Sequence, residues 1–221
     1  MIDKMPLRPG IAAEANASAA DRPPEATRPD WKSGLPVLSN ELVTLRDLRV
    51  SDASSLCATL SSQEVHRFMS APPSDVAGFE RFIQWAHSER SHGRLICFAV
   101  VPNGYDVAVG IMQVRQIDQE FSTGELGAAL GSQFWGTGLF EAAVDLLFEF
   151  VFNALGLRRL ELRAAVRNGR ANGAARKIGA VPEGVARRAL FCGGHYHDQL
   201  MWSLLAEDWR QSRQQPQVVV H

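Results

Sequence analysis

The pattern of hydrophobic and polar residues changes its period repeatedly between residues 42 and 205. Several segments alternate apolar and polar positions or form a short apolar run, which is typical of β-strands. The dipeptide Asn103-Gly104 lies between two of them and predicts a hairpin, because both residues tolerate positive φ. The predicted strands cover residues 42–48, 95–101, 107–117, 125–130, 160–166, 185–191 and 199–205.

Helical periods separate some of these strands. Ser51 or Asp52 is placed to cap a short helix, and Ser74 or Asp75 is placed to cap a second, longer one. In each case a polar side chain precedes apolar residues spaced three or four apart. Two helices are therefore expected between the first predicted strand and the second.

The strongest helical pattern runs from Leu139 to Leu155, with Gly156 placed to end the helix. A shorter helix is predicted from about Ala171 to Ile178. Strands in a meander, followed by a long helix and further strands, predict an α/β protein with a mixed sheet. The long helix is expected to be mostly buried, because its polar residues recur only at every fourth position: Glu141, Asp145, Glu149 and Asn153.

The two ends of the chain lack either period. Residues 1–34 are rich in alanine, proline and charged residues, which predicts a mobile N-terminal extension. Residues 211–221 are first glutamine-rich and then valine-rich, which predicts a flexible C-terminal tail. The folded domain is therefore expected to span residues 35–210.

Composition narrows the class of function. The formal net charge is −1, so the chain has no overall positive field for a polyanion, and nucleic-acid binding is not expected. The three cysteines are far apart and odd in number, which favours a reducing, cytoplasmic setting. No signal peptide and no membrane-spanning segment are expected, because charges and prolines interrupt the N-terminal residues and every apolar run is short.

A glycine-rich loop, residues 131–139, precedes the long helix. Gly136 and Gly138 allow a sharp turn, and the unpaired amides at a helix start favour a phosphate. A Walker A loop needs Lys and then Ser or Thr where Leu139 begins the helix, and a dinucleotide fingerprint needs a glycine where Glu141 stands. An ordinary glycine-rich turn before a helix explains the loop alone equally well.

The spacing Gln133-x-x-Gly136-x-Gly138 resembles the Gln/Arg-x-x-Gly-x-Gly/Ala loop of the GNAT superfamily of N-acetyltransferases. The resemblance runs in order over about residues 38–210 and is similar to the branch of ribosomal-protein N-terminal-alanine acetyltransferases. The segments that carry it are residues 42–46, 51–53, 135–142, 168–180 and 198–209. The sequence departs from that pattern at three alanines, Ala128, Ala171 and Ala180, where a tyrosine, a serine and an aromatic residue are common.

The resemblance implies a mixed, mostly antiparallel sheet flanked by helices, with a splayed strand pair that holds the arm of coenzyme A (CoA). It implies acetyl-CoA as co-substrate, no metal, a monomer or homodimer, and direct transfer of an acetyl group to the primary amine of a small molecule or a peptide. A non-catalytic GNAT-fold module that binds or senses acyl-CoA is the alternative. The implied CoA-binding residues are Leu130, Gln133, Phe134, Trp135, Gly136, Thr137, Gly138, Leu139 and Asn168.

Some of these residues have a second interpretation. Asn168 precedes a glycine and is also a typical turn residue. Phe134 and Trp135 are aromatic residues next to a helix start, and such residues more often pack their side chains against the core.

The reaction needs a neutral amine, whereas an aliphatic ammonium has a pKa near ~10 and a protein N-terminus near ~8. Glu125, on the strand leading to the loop, is the candidate general base, and a solvated surface acid is its other interpretation. Tyr196 is the candidate proton donor to the leaving thiolate, or else a half-buried aromatic residue. The acceptor pocket is expected between residues 65–73 and 191–197, with His195, His197 and Asp198 suited to acceptor contact rather than to a metal.

Overall fold

The computed structural model describes residues 29–214. They contain one eight-stranded sheet in the order β1-β2-β3-β4-β5-β6-β8-β7. All neighbouring strands are antiparallel except β5 and β6, so the predicted mixed, mostly antiparallel sheet is confirmed. The strands are β1 Leu38–Ser39, β2 Val43–Asp47, β3 Leu95–Pro102, β4 Gly110–Gln116, β5 Thr123–Leu130, β6 Arg159–Ala165, β7 Val181–Cys192 and β8 His195–Leu205. The helices are α1 Ala53–Leu60, α2 Gln63–His66, α3 Val76–Ser91, α4 Leu139–Phe148, α5 Gly169–Lys177 and α6 Ala206–Gln214.

The sheet separates two hydrophobic cores. Strand β3 is buried throughout, and its residues alternate between the cores: Ile96 and Phe98 belong to the larger one, Cys97 and Ala99 to the smaller. Helices α1 and α3 pack on the smaller core, and α4 and α6 on the larger one. None of the helices in the described part of the chain has the length and apolar character that a membrane span requires.

A buried ion pair fixes where β4 begins. Both guanidinium nitrogens of Arg46 donate to the Asp52 carboxylate at 2.7 Å, and this carboxylate does not cap α1. Arg46 also donates to the Asp106 carbonyl, and the Ala108 amide approaches Asp52 at 3.4 Å. These contacts hold residues 106–108 out of the ladder, so the strand predicted from residue 107 begins at Gly110 instead.

The long helix widens before it ends. Regular α4 stops at Phe148, and a π-helical segment continues from Glu149 to Ala154. Phe150, Val151 and Phe152 are all buried in this segment, so it is covered over a wide part of its surface. Gly156 follows with φ +75°, as predicted for the residue that ends the helix.

The ordered structure extends beyond both predicted domain limits. Trp31 is buried and contacts Phe121 edge to face, with ring centroids 5.5 Å apart, although residues 1–34 were predicted as an extension. Helix α6 continues to Gln214, four residues into the predicted tail, and Arg213 lies over the Trp209 ring. The remainder of both predicted segments, 1–28 and 215–221, lies outside the described residues.

Candidate functional site

Strands β5 and β6 diverge. Their parallel pairing joins residues 123–125 to residues 159–161 and goes no further along the described strands. Beyond it, residues 126–130 of β5 pair only with β4, and residues 162–165 of β6 pair only with β8. A V-shaped gap therefore opens between two strand edges, as the family resemblance implied. Its backbone groups can accept an extended, amide-bearing chain as an added strand.

The glycine-rich bend lies at the wide end of this gap, between β5 and α4. Gly136 and Gly138 have φ of +72° and +83°, and a Cβ added to either would meet no atom within 4 Å. Within residues 29–214, the amides of residues 136–138 have no hydrogen-bond acceptor, and the first helical bond of α4 runs from the Ala142 amide to the Gly138 carbonyl. The bend thus offers free N–H groups at a helix start, which is a suitable site for a phosphate.

Aromatic side chains of the loop pack it against the rest of the domain. The indole nitrogen of Trp135 donates to the Leu130 carbonyl at 2.9 Å, and the Arg170 guanidinium lies 4.0 Å from the centroid of the Trp135 ring. Phe134 contacts the Tyr105 ring edge to face. Phe134 and Trp135 are partly buried against the larger core, which agrees with packing as their role. Sequence reasoning missed Arg170, although its place in the first turn of α5 put a cation near the loop.

The other polar loop residues point away from the open amides. Thr137 donates its hydroxyl to the Phe134 carbonyl at 2.8 Å and accepts from the Leu139 amide at 3.4 Å. Gln133 is exposed, and its amide group lies beside Gly131. Neither side chain therefore takes up the free amides of residues 136–138.

Asn168 caps α5, since its side-chain oxygen accepts from the Ala171 amide at 3.0 Å. Four residues later, Asn172 is buried and donates to the carbonyls of Ala165 and Asn168, both at 2.9 Å. Its own oxygen accepts from the Trp202 indole at 3.0 Å. Asn172 therefore joins the end of β6 to α5 and β8, a positioning role that was not assigned from the sequence.

Glu125 lies at the narrow end of the gap. Its carboxylate pairs with the Arg115 guanidinium at 2.5 Å, and its register partner on β6 is Glu161. Glu125 shares its strand parity with Ala129, which packs on the smaller core, so it projects from the face that carries α1 and α3.

Tyr196 is not brought near Glu125. On β8, Ser203 is the register partner of Glu161, so the odd-numbered residues of β8 share the face of Glu125. The even-numbered Tyr196 projects from the opposite face, is 63% exposed, and packs on Phe191 with ring centroids 4.9 Å apart.

A cavity of about 350 Å³ lies where the acceptor pocket was expected, with residues of both predicted segments in its wall. Asp198 is not among the lining residues, and its carboxylate accepts from the Arg188 amide at 2.7 Å. Within the described chain, no group of three or more His, Cys, Asp or Glu residues is arranged to hold a metal. The cavity is lined by Arg67, Phe68, Arg167, Cys192, Gly193, His195 and His197.

Comparisons with known proteins agree with this architecture. Residues 43–181 match the acetyltransferase (GNAT) domain. An uncharacterized N-acetyltransferase p20 of Bacillus licheniformis is 30% identical over 173 residues, which are 78% of this chain and 97% of that protein. A putative ribosomal N-acetyltransferase YdaF of Bacillus subtilis is 30% identical over 182 residues, 77% and 94% of the two chains. The structure of Mycobacterium smegmatis RimJ in complex with CoA-disulfide has a TM-score of 0.70 and 21% identity, covering 81% of this chain and 90% of RimJ.

Proposed function

Since this chain belongs to the GNAT family of acetyltransferases, we propose that it transfers an acetyl group from acetyl-CoA to a primary amine. The observation that carries the proposal is the open bend, in which the amides of residues 136–138 lack acceptors within the described chain and two glycines leave the space in front of them free. A diphosphate is the group best matched to such a bend. The RimJ structure, which contains CoA-disulfide in a related fold, supports the same ligand class.

The gap between β5 and β6 supports the second part of the proposal. The free edge of residues 126–130, which ends at Leu130, would bind the pantetheine arm, and the free amides of residues 136–138 would bind the diphosphate. Of the loop residues predicted from the sequence, Gln133 to Leu139, Phe134 and Trp135 cannot contribute their amides, because these donate to the carbonyls of Gly131 and Ser132 at 3.0 and 3.2 Å. Asn168 would add a side-chain contact through its amide nitrogen, since its oxygen accepts the capping bond of α5. These assignments need no metal, since thioester aminolysis requires only a neutral amine and a stabilised oxyanion.

For the chemistry, Glu125 would take a proton from the acceptor ammonium through water. The neutral nitrogen then attacks the thioester carbonyl, so that a C–N bond forms and the C–S bond breaks. The second proton lost by the nitrogen passes through water to the departing thiolate, which leaves as the free thiol. A thiol has a reference pKa near ~8.5, so this leaving group needs little assistance. A general acid is therefore dispensable, and the placement of Tyr196 on the opposite face does not weaken the mechanism.

The alternative is a GNAT-fold module that binds or senses acyl-CoA without turnover. One observation favours it: the Glu125 carboxylate is already paired with Arg115. A panel of N-terminal peptides, polyamines and small amines distinguishes the two functions. Release of free CoA thiol that depends on any of these amines supports the enzyme, whereas CoA binding without such release supports the module.

The loop assignment is tested by comparing Gly138→Ala with Gly104→Ala. Both glycines have positive φ, +83° and +87°, and an open space around an added Cβ, so the two variants carry a similar backbone cost. Gly104, however, belongs to the turn after β3. Calorimetric titration with CoA should give at least a tenfold loss of affinity for Gly138→Ala and none for Gly104→Ala. Unchanged affinity in both would remove the loop from the CoA site.

A further inference from the structure

The cavity between the loop after α2 and the β7–β8 hairpin is lined by basic residues and by no acidic residue. Two guanidinium groups, from Arg67 and Arg167, and two imidazoles, from His195 and His197, line it, and no carboxylate does. The chain as a whole has a net charge of −1, so this local excess of cationic groups does not follow from composition. We call this cavity the Arg67–Arg167 pocket.

These guanidinium groups have no counter-charge. Within residues 29–214 neither Arg67 nor Arg167 makes a salt bridge or a side-chain hydrogen bond, and the Arg67 guanidinium lies 5.2 Å from the centroid of the Phe68 ring. The nearest acid along β8, Asp198, accepts a backbone hydrogen bond outside the pocket. An unneutralised pair of guanidinium groups at a concave surface attracts anions and repels cations.

The pocket lies beside the wide end of the gap between β5 and β6. Arg167 follows the end of β6, at the wide end of the gap, and the Val166 amide is bound to the Asp198 carbonyl at 2.9 Å, which keeps β8 alongside. His195 and His197 are odd-numbered residues of β8 and project from the face of Glu125. A molecule in the pocket therefore lies on the face from which the candidate base projects.

We propose that the Arg67–Arg167 pocket binds the acceptor, and that the acceptor is a small amine that also carries a carboxylate or a phosphate group. The inference rests on the proposed acetyl transfer. Guanidinium groups match the oxygen pairs of both anions. The volume of about 350 Å³ is at the small end of ligand pockets, which favours a small molecule over a protein segment.

Two matched pairs of amines test the proposal and separate the anions. γ-Aminobutyrate and butylamine differ by a carboxylate, and phosphoethanolamine and ethanolamine differ by a phosphate. With thiol release as the assay, the anionic member of at least one pair should have a kcat/KM at least tenfold higher. Arg167→Glu should abolish this preference by raising the KM for the acceptor while leaving the KM for acetyl-CoA unchanged. The control is Arg81→Glu, an exposed position on α3, which should change neither value.

Three outcomes would overturn the inference while leaving acetyl transfer in place. The first is an equal kcat/KM within both pairs. The second is a higher kcat/KM for spermidine or an alanine-terminated peptide than for the anionic amines. The third is a raised KM for acetyl-CoA in Arg167→Glu. CoA binding without thiol release from any amine would instead overturn the proposed transfer itself, and the acceptor assignment with it.

Discussion

The indole nitrogen of Trp135 donates a hydrogen bond of 2.9 Å to the carbonyl oxygen of Leu130, five residues earlier in the chain. This bond folds the glycine-rich loop back on the last residue of β5. The Arg170 guanidinium, 4.0 Å from the centroid of the Trp135 ring, adds a contact to α5. The orientation of the open amides therefore depends on a side chain that does not itself face the open bend.

We expect Trp135→Phe to weaken CoA binding severalfold while the fold persists. The variant keeps an aromatic ring but loses the donor, and a single neutral hydrogen bond contributes about 0.5–1.5 kcal/mol to stability. Calorimetry gives the affinity, and urea denaturation gives the free energy of unfolding. Trp85→Phe is the control, because Trp85 is 40% exposed on α3 and its indole has no hydrogen bond within the described chain. An equal loss of CoA affinity in both variants would contradict the positioning role.

Features set by neighbouring residues were predictable from the sequence. Asp75 caps α3 with a 2.6 Å bond to the Gly78 amide, and Gly156 ends the long helix, because each depends only on a few adjacent residues. The gap between β5 and β6 followed from the family resemblance rather than from local pattern. Buried Trp31 could not be predicted, since its partner Phe121 is distant in sequence and the residues around it resemble a linker.

The candidate site was predictable to a similar extent. The loop was located from its glycine spacing, and a cavity does lie between the two segments in which an acceptor pocket was expected. The separation of Tyr196 from Glu125 depends on strand register, which a one-residue shift would reverse. Single-sequence patterns do not fix the register across the three strands β5, β6 and β8. The role of Asn172 was not predicted for the same reason, because its hydrogen-bond partners lie on β6 and β8.

Asn172→Ala should destabilise the domain strongly. It leaves the Trp202 indole and the Ala165 carbonyl without their partner, at ~1–3 kcal/mol for each buried group. In a double-mutant cycle with Trp202→Phe, the two effects should be less than additive, because the second change removes a donor that the first has already orphaned. Urea denaturation of the four proteins measures this coupling. Strictly additive losses would show that the 3.0 Å bond is not energetically coupled.

Stability should decline in acid partly because of Asp52. Burial raises the pKa of Asp52, but hydrogen bonds from Arg46 and the Arg49 amide together lower it more, so its pKa lies below the usual value. The stabilisation is therefore complete above the unfolded pKa of ~3.9 and is lost as the pH falls through the folded pKa. The pKa of Glu183 is lowered to about 2 by hydrogen bonds from Arg159 and Ser203, which adds a weaker term of the same sign because this side chain is 42% exposed.

Asp52→Asn should flatten the dependence of unfolding free energy on pH from about 5 downward, because the wild type loses this stabilisation as the pH falls from above the unfolded pKa through the lower folded pKa. It should also lower stability at pH 7 by about 3–5 kcal/mol, because Arg46 stays buried without its counter-charge. Guanidinium or urea unfolding at several pH values tests both effects. A pH profile parallel to that of the wild type would exclude Asp52 as a source of the acid sensitivity.

Glu125 and Glu161 are register partners on the two diverging strands, and each is paired with arginine, so they form a matched test of the general base. If Glu125 removes the amine proton, Glu125→Gln should lower kcat by 10²-fold or more near neutral pH with little change in CoA affinity. Glu161→Gln should lower kcat severalfold at most. The loss of kcat in Glu125→Gln should also shrink as the pH approaches the pKa of the acceptor ammonium, because the acceptor then binds as the neutral amine. Equal deficits in the two variants, or a deficit independent of pH, would show that the carboxylates contribute only charge balance against Arg115 and Arg159.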